Sequence, residues 1–369
     1  MGDNTFGTKF KITSFGESHG KVVGIVIDGT PAGLEFDLAY IQNELDKRKP
    51  GQSNFTTSRK EQDKVKVLSG IFNNKTTGAP ICLIIENQDV DSSNYKKTKD
   101  LLRPSHVDYV ILQKFGGFAD YRGSGRFSGR ITAGFVMAGA VAKQILDKNN
   151  ISTFAYTRGI GNVEDNKDYS MEDLEPIKQK REMSPVRAVD LELSEKMEKA
   201  IEIAKKANDS LGGTIRCIIK NVPPGIGGPL FNNLESNLSK GIFSIPAIKG
   251  IEFGAGFKAS KMMGSEHNDP WAIKEGKIIS TKNDSGGIIG GISTGMPIIF
   301  TVAVKPTPSI GIIQKTVNIK RMIEEEIKIE GRHDPCIVPR AVVVIESITA
   351  IVILDYLLIE GKISSVLED

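Results

Sequence analysis

Two kinds of residue in this chain can do chemistry at neutral pH, and both sit among glycines and turns. The first are histidines: His19, His106, His267 and His333. His19 stands in Gly16-Glu17-Ser18-His19-Gly20, and His106 in Arg103-Pro104-Ser105-His106-Val107-Asp108. Each shares a polar loop with small neighbours, and neither has an obvious packing task. An imidazole titrating near pH ~6.5 can pass a proton to a leaving phosphate or a bound cofactor. The competing reading is that a lone histidine is structural. Asp334, between His333 and Pro335, reads equally as a general base or as a carboxylate that caps a turn. The second kind are arginines in Tyr121–Val141, where Arg122, Arg126 and Arg130 alternate with Gly123, Gly125, Gly129, Ser124 and Ser128. Glycine lets backbone N–H groups approach a ligand. Arginine presents a planar fork of donors to phosphate or carboxylate.

The segment after that basic loop must hold it in place. Ile131, Phe135, Ala138, Ala142 and Ile145 recur at helical spacing, and Gly134, Ala138 and Ala142 allow another element to pack close. A basic Gly/Ser loop entering a helix N-terminus is an anion site, because orphan N–H groups and the helix dipole add to the arginine charge. The alternative is an exposed Gly/Arg loop that touches RNA. Low-complexity tails of that kind do not run into a buried helix. No Walker loop, HExxH or GxSxG is present, and no His/Cys pair has metal-ligand spacing.

Further candidates flank the loop. Asp37 can cap a helix carrying Leu38, Ile41 and Leu45, which ends in Lys47-Arg48-Lys49. These cations either cap the helix C-terminus or, for Arg48 at least, meet a substrate anion. A second glycine cluster runs from Ser285 to Gly295. The strand Pro297–Val304 delivers Lys305-Pro306-Thr307-Pro308-Ser309, whose two prolines stiffen the backbone.

The remaining elements read as strands at Lys9–Phe15, Val22–Ile27, Val65–Phe72, Ile81–Ile85, Ile151–Tyr156, Thr214–Val222, Ile251–Phe257 and Ala341–Ile345. Helices are expected over Ser194–Asn208, Leu234–Leu238 and Glu346–Leu358, with another ending across Glu324–Glu330. Tyr109–Phe115 is helical or extended. Glu164–Met183 reads as a surface insertion or helical excursion, and Lys258–Asp284 as a long polar loop.

Composition narrows the class. The chain has 369 residues, 39% hydrophobic and 25% charged, enough for one large or two medium globular domains. A net charge of +3 argues against general nucleic-acid binding. Three scattered cysteines suit a reducing, cytoplasmic setting. No unbroken apolar run reaches membrane length, and no secretory leader is evident.

The motifs together resemble the chorismate synthase family. Gly16–Gly20 with Asp28-Gly29-Thr30-Pro31 is similar to its first signature. Gly125-Arg126-Phe127-Ser128-Gly129-Arg130-Ile131-Thr132 is similar to its second, and Gly331–Cys336 through Glu346-Ser347 to its third. Arg103–His106, Ser244–Gly250, Gly286–Gly295 and Lys305–Ile310 fit in family order, so the resemblance spans essentially the whole chain as a single domain. It implies an α+β fold, a β-α-β sandwich with helices between antiparallel sheets, assembled as a cytoplasmic homotetramer with no nucleic-acid or membrane partner. It implies anti-1,4-elimination of phosphate from 5-enolpyruvylshikimate 3-phosphate to give chorismate, with reduced FMN and no net redox change. By the same resemblance, His19, His106 and Asp334 are catalytic, and Ser18, Arg48, Arg103 and Arg130 bind substrate. Arg126, Phe127, Ser128, Pro246, Ala247, Gly290, Lys305, Pro306, Thr307, Pro308, Ser309 and Arg332 line FMN. Phe127 departs from a frequent serine, Gly129 from alanine and Asn54 from arginine. No GxGxxG fingerprint follows a strand, so a built-in Rossmann NAD(P)H site is not supported. The alternative from another class is a flavin-binding protein or flavin reductase without the elimination.

Overall fold

The computed structural model describes residues 2–49, 51, 62–88, 95, 99–329 and 334–368. Asn54, Arg332 and His333 lie outside the described residues. Two five-stranded sheets carry the architecture. In spatial order the first is Thr5–Phe6, Lys11–Gly16, Val22–Asp28, Ile81–Glu86 and Lys66–Ser69. The second is Ile248–Phe253, Ile298–Val304, Gly213–Lys220, Ser152–Ile160 and Val163–Glu164. Every pairing in both is antiparallel. Lys11–Gly16 and Ile81–Glu86 of the first sheet alternate in and out, giving it an apolar face to bury, whereas Ser152–Ile160 and Ile298–Val304 of the second are buried along most of their length.

Two helices fill the space between the sheets. Thr132–Lys148 packs on the first sheet, and Val338–Ile359 packs on Ser152–Ile160 of the second and on Thr132–Lys148 itself. Small residues set the separations. A Cβ on Gly134 would stand 3.3 Å from the Gly24 carbonyl, and one on Gly139 would overlap Ser347 Cβ at 2.2 Å. Gly134, on the expected small-residue face, thus admits the sheet, while Gly139, outside that face, admits the long helix. The result is the β-α-β sandwich, an α+β arrangement.

Val338–Ile359 corrects the expected strand Ala341–Ile345. Val342, Val343 and Val344 favour strands by propensity. Between two sheets, however, this segment has no edge to pair with, and a helix satisfies its own amides. Ser347 and Thr349 turn their hydroxyls back to the Val343 and Ile345 carbonyls, each at 2.7 Å. The helix is long and apolar enough to cross a membrane by length and composition, although Arg340, Glu346 and Asp355 interrupt its apolar run; 83% of its most apolar window is buried inside the protein.

Two further expectations change and a third is extended. The helix end expected over Glu324–Glu330 is not seen in its described residues: Gln314–Asn318 and Ile323–Ile327 form a hairpin with Lys315 opposite Glu326. Lys258–Asp284 contains the hairpin Trp271–Lys274/Lys277–Ser280, whose turn residues Glu275 and Gly276 are both left-handed, as a primed two-residue turn requires. The helical excursion expected within Glu164–Met183 is present, and it is packed rather than loose. Its helix Leu174–Met183 is capped by Asp173, and Leu174 and Ile177 join Phe154, Tyr156, Tyr169 and Ile218 in a second apolar cluster.

Charge is buried where the helices meet. Lys143 bonds Glu44 and Glu346 at 2.6 and 2.8 Å, and Arg181 bonds Glu346. The Glu346 carboxylate also accepts the Ala155 N–H at 2.7 Å. A cavity of about 140 Å³ opens beside them, lined also by Tyr40, Lys47, Asp147 and Lys178. At the other end of the long helix, Asp355 accepts the N–H groups of Thr8, Lys9 and Phe10, which anchors the first sheet to the core.

Candidate active site

His19 is buried at the turn between the strands Lys11–Gly16 and Val22–Asp28. The Gly20 N–H closes that turn on the Glu17 carbonyl at 3.0 Å, and the Ser18 N–H reaches the Gly125 carbonyl at 3.2 Å. The basic loop lies directly over the imidazole. A Cβ on Gly123 would come within 2.5 Å of His19 Cδ2 and 3.0 Å of Ser18 Oγ. Gly123, Ser124 and Gly125 all have positive φ, so the loop departs from a helix here and folds back toward the His19 turn. Tyr95 meets His19 edge to face at 5.2 Å between ring centres.

Arg103 approaches the same loop. It forks onto Asp108 at 2.8 and 2.6 Å, donates to Ser124 Oγ at 3.0 Å and lies 5.5 Å over the Tyr95 ring. Burial raises the Asp108 carboxyl, but Arg103 outweighs it and holds the group below its usual range. Asp120 is likewise held low by its hydrogen bonds to Arg122, with a smaller attraction from His19.

Three residues beyond Arg103, the chain turns to a second region. His106 Nε2 is 2.8 Å from Ser309 Oγ, and Lys305 Nζ donates to the Ser105 carbonyl at 3.4 Å. The Lys305 N–H bonds the Ala247 carbonyl at 2.9 Å, and Ala247 is left-handed. A non-glycine residue in that conformation is uncommon and clusters at ligand clamps. Burial lowers the Lys305 pKa, and Lys249 lowers it further. The Thr307 hydroxyl is buried with no hydrogen-bond partner among the described residues. Two cations, a strained backbone and an orphan hydroxyl suit a phosphate-bearing ligand.

The two regions are joined through a third set. Ser210 Oγ donates to the Thr307 carbonyl at 2.7 Å, and the Leu211 N–H to the Pro335 carbonyl at 2.8 Å. Asp334, beside Pro335, is ion-paired to Arg340, whose Nε donates to the Arg48 carbonyl at 3.0 Å. Arg48 and Arg130 share Asp63: Arg48 Nη1 is 3.3 Å from one oxygen, and Arg130 Nη1 bonds the other. Arg130 Nε reaches Asn87 Oδ1 at 2.9 Å, and Asn87 Nδ2 bonds the Glu17 and Gly20 carbonyls around His19 at 3.0 and 2.9 Å. The contacts thus close a circuit through His19, Arg103, His106, Ser309, Asp334, Arg48 and Arg130.

Arg48 is buried more deeply than a simple ligand clamp requires. Its Nε and Nη2 bond Thr132 Oγ1 at 3.1 Å and the Gly129 carbonyl at 2.8 Å. Burial and then the charge of Arg340 push its pKa down to about 9, with Asp63 opposing, so it stays charged at neutral pH. It stands at the last turn of Leu38–Arg48, a helix that Asp37 caps through the Tyr40 N–H, as expected.

Other expected site residues fall away from this circuit. Arg126 donates to the Ser14 and Gly16 carbonyls, so its fork holds a strand end. Ser128 Oγ caps the Arg130 N–H at 3.3 Å. Phe127 is exposed and packs on Phe115 at 6.2 Å between ring centres. Pro246 precedes Ala247 on the surface. Gly290 turns the small hairpin Ile288–Ile289/Ile292–Ser293, beside the Pro223–Ile226 turn. Pro306 and Pro308 frame Thr307. Asp63, Asn87, Asp108 and Arg340 escape the sequence reading, since nothing local marks a single Asp, Asn or Arg as a partner of a distant arginine or carboxylate. Only Asp108 had a signal, being five residues from Arg103.

The fold is thus an α+β sandwich of antiparallel sheets around helices, with a basic, anion-suited loop closed over a buried imidazole. A model of the chorismate synthase family matches residues 10–358. Chorismate synthase of Dehalococcoides mccartyi (strain BAV1) is 51% identical over 365 residues, covering 99% of each chain. That of Korarchaeum cryptofilum is 51% identical over 358 residues, covering 97% of this chain and 98% of its own. A crystal structure of chorismate synthase superposes with a TM-score of 0.75 at 31% identity, covering 96% of this chain and 93% of the other. The chain belongs to the chorismate synthase family.

Proposed function

We propose that this protein is the lyase that converts 5-enolpyruvylshikimate 3-phosphate to chorismate by anti-1,4-elimination of phosphate, with reduced FMN and no net redox change. The observation that carries the reading is the closed circuit linking His19, His106 and Asp334 to Arg48, Arg103 and Arg130. The substrate is a phosphate ester with two carboxylates, so it needs several cations and one proton donor.

In this reading His19 delivers a proton to the departing phosphate as the C3–O bond breaks. Arg130 and Arg103 present positive charge to phosphate and carboxylate beside the ion pairs they hold with Asp63 and Asp108. Arg48, with its donors committed to the protein, contributes mainly charge. Ser18 Oγ, beside Gly123, adds a neutral contact. Lys305, Thr307 and Ser309, with Ala247, would hold the cofactor, and Pro306 and Pro308 keep them in place. His106 would stand by the N1 side of the flavin ring and Asp334 by N5. When bound, reduced FMN would supply the electron density that lets phosphate leave and would take up the C6 hydrogen, whose bonding electrons become part of the new diene. By the family resemblance, Arg126, Phe127, Ser128, Pro246 and Gly290 would add further cofactor contacts, as would Arg332, which lies outside the described residues. The protein acts as a single-domain subunit of a cytoplasmic homotetramer.

The test is anaerobic. The protein is mixed with 5-enolpyruvylshikimate 3-phosphate and chemically reduced FMN, without nicotinamide, and chorismate and phosphate are followed. Both products should appear only with reduced flavin. Flavin binding without product would instead favour a flavin-binding protein or flavin reductase.

A further inference from the structure

Asn87 occupies a junction that joins the His19 turn to Arg130. It follows the strand Ile81–Glu86, and its N–H is tied to the Lys21 carbonyl at 3.1 Å, so its backbone is fixed beside the turn. Its side chain then works in two directions. The amide nitrogen donates to the carbonyls of Glu17 and Gly20, which bracket Ser18 and His19. The amide oxygen accepts from Arg130 Nε, leaving the Arg130 Nη1 edge on Asp63. No other residue type of this size donates two hydrogen bonds at one end and accepts at the other without charge, apart from the one-carbon-longer Gln. The turn is also held from the opposite side by the Gly125 carbonyl. Asn87 therefore decides where the imidazole stands relative to the guanidinium.

We infer that Asn87 is a positioning residue for the elimination. It aligns the His19 proton donor with the Arg130 anion contact, so that proton delivery and phosphate neutralisation act on the same leaving group. This rests on the roles given to His19 and Arg130 above. Alignment of this kind is worth much, because a misplacement of about 1 Å can cost ~10²-fold in rate.

Two substitutions separate the two ends of the amide. Asn87→Asp keeps an acceptor for Arg130 but places a carboxylate oxygen against the Glu17 and Gly20 carbonyls. Asn87→Ala removes both ends. Each full-length variant is assayed with saturating reduced FMN for kcat and KM across pH. The titration of His19 is followed independently of turnover by hydrogen–deuterium exchange at its imidazole C2, read by mass spectrometry. Charged and aromatic groups near His19 are Asp120, itself paired with Arg122, and Tyr95, with Arg103 over its ring; Glu17 lies two residues away in the same turn.

Asn87→Asp should lower kcat by roughly 10- to 100-fold, with KM within about threefold of the parent, and should move the His19 titration to higher pH because a negative charge has been added. Asn87→Ala should lower kcat similarly and also raise KM, since Arg130 loses its orienting acceptor. Equal changes in both variants, with the His19 titration unmoved, would reduce Asn87 to a structural residue and overturn the inference. Failure of the underlying roles is read separately: His19→Ala or Arg130→Ala would then turn over normally, while the His19 titration in Asn87→Asp still judges the bridge.

Discussion

His106 Nε2 and Ser309 Oγ are 2.8 Å apart across 203 residues of sequence. The bond joins the Arg103–Asp108 loop, which touches the His19 region, to the proline-stiffened segment after strand Ile298–Val304. One hydroxyl thus fixes where the imidazole stands relative to the proposed cofactor cradle. Ser309→Ala should lower kcat/KM about three- to tenfold, the scale of one lost hydrogen bond of ~0.5–1.5 kcal/mol. The thermal midpoint should stay within a few degrees of the parent. Steady-state assay with reduced FMN and a melting curve check both parts.

Gly123→Ala probes the lid-like contact of the basic loop on His19. The new Cβ would stand 2.5 Å from the ring, and alanine would be forced into φ near +56°. The left-handed conformation alone costs about 1–2 kcal/mol. Because the ring must move, turnover should fall by ~10²-fold or more. A variant with normal kcat would mean that the loop does not bear on the imidazole in the working enzyme.

Arg48→Lys distinguishes a forked guanidinium from a point charge. The native side chain reaches Thr132, Gly129 and Asp63 from three separate nitrogens. One ammonium cannot span these acceptors. We expect stability to drop by roughly 1–3 kcal/mol for each buried acceptor left unmet, and kcat/KM to drop at least tenfold through the displaced Asp63 and Arg130. Denaturant unfolding and substrate titration measure the two effects separately.

Glu346→Gln tests the buried ion cluster away from the proposed site. Burial works to raise the Glu346 pKa, but Arg181 and Lys143 outweigh it and hold the carboxylate below its usual range. Removing the charge leaves Lys143 and Arg181 buried and short of a counter-ion, a loss of about 3–5 kcal/mol at neutral pH. A carboxylate with a depressed folded pKa stabilises fully above its unfolded value of ~4.3 and progressively less below it. The parent should therefore lose more stability than the variant when pH falls from about 5 to 3. Urea midpoints at several pH values give the comparison.

Local chemistry made much of this protein legible. Asp37 before an amphipathic run, turn residues between Phe15 and Val22, and two prolines around Thr307 act over a few residues, so the helix start, the His19 hairpin and the stiff segment followed from sequence. The arginines and histidines were visible for the same reason: glycine-rich loops have little purpose but to bring backbone and charge near something. What the sequence left undecided depended on distant partners. The run Ala341–Ile345 favours a strand until two sheets surround it and only a helix can satisfy its amides. Glu324–Glu326 resembles a helix end until Lys315 and Thr316 pair with it across a hairpin. Arg126 reads as a ligand fork from sequence, and only the fold shows that it also ties down the Ser14 and Gly16 carbonyls. Asp63 and Asn87 carry no local signal, because an acceptor for two arginines and a bridge to the His19 turn exist only once strands and loops far apart in sequence have been brought together by burial of the two helices between the sheets.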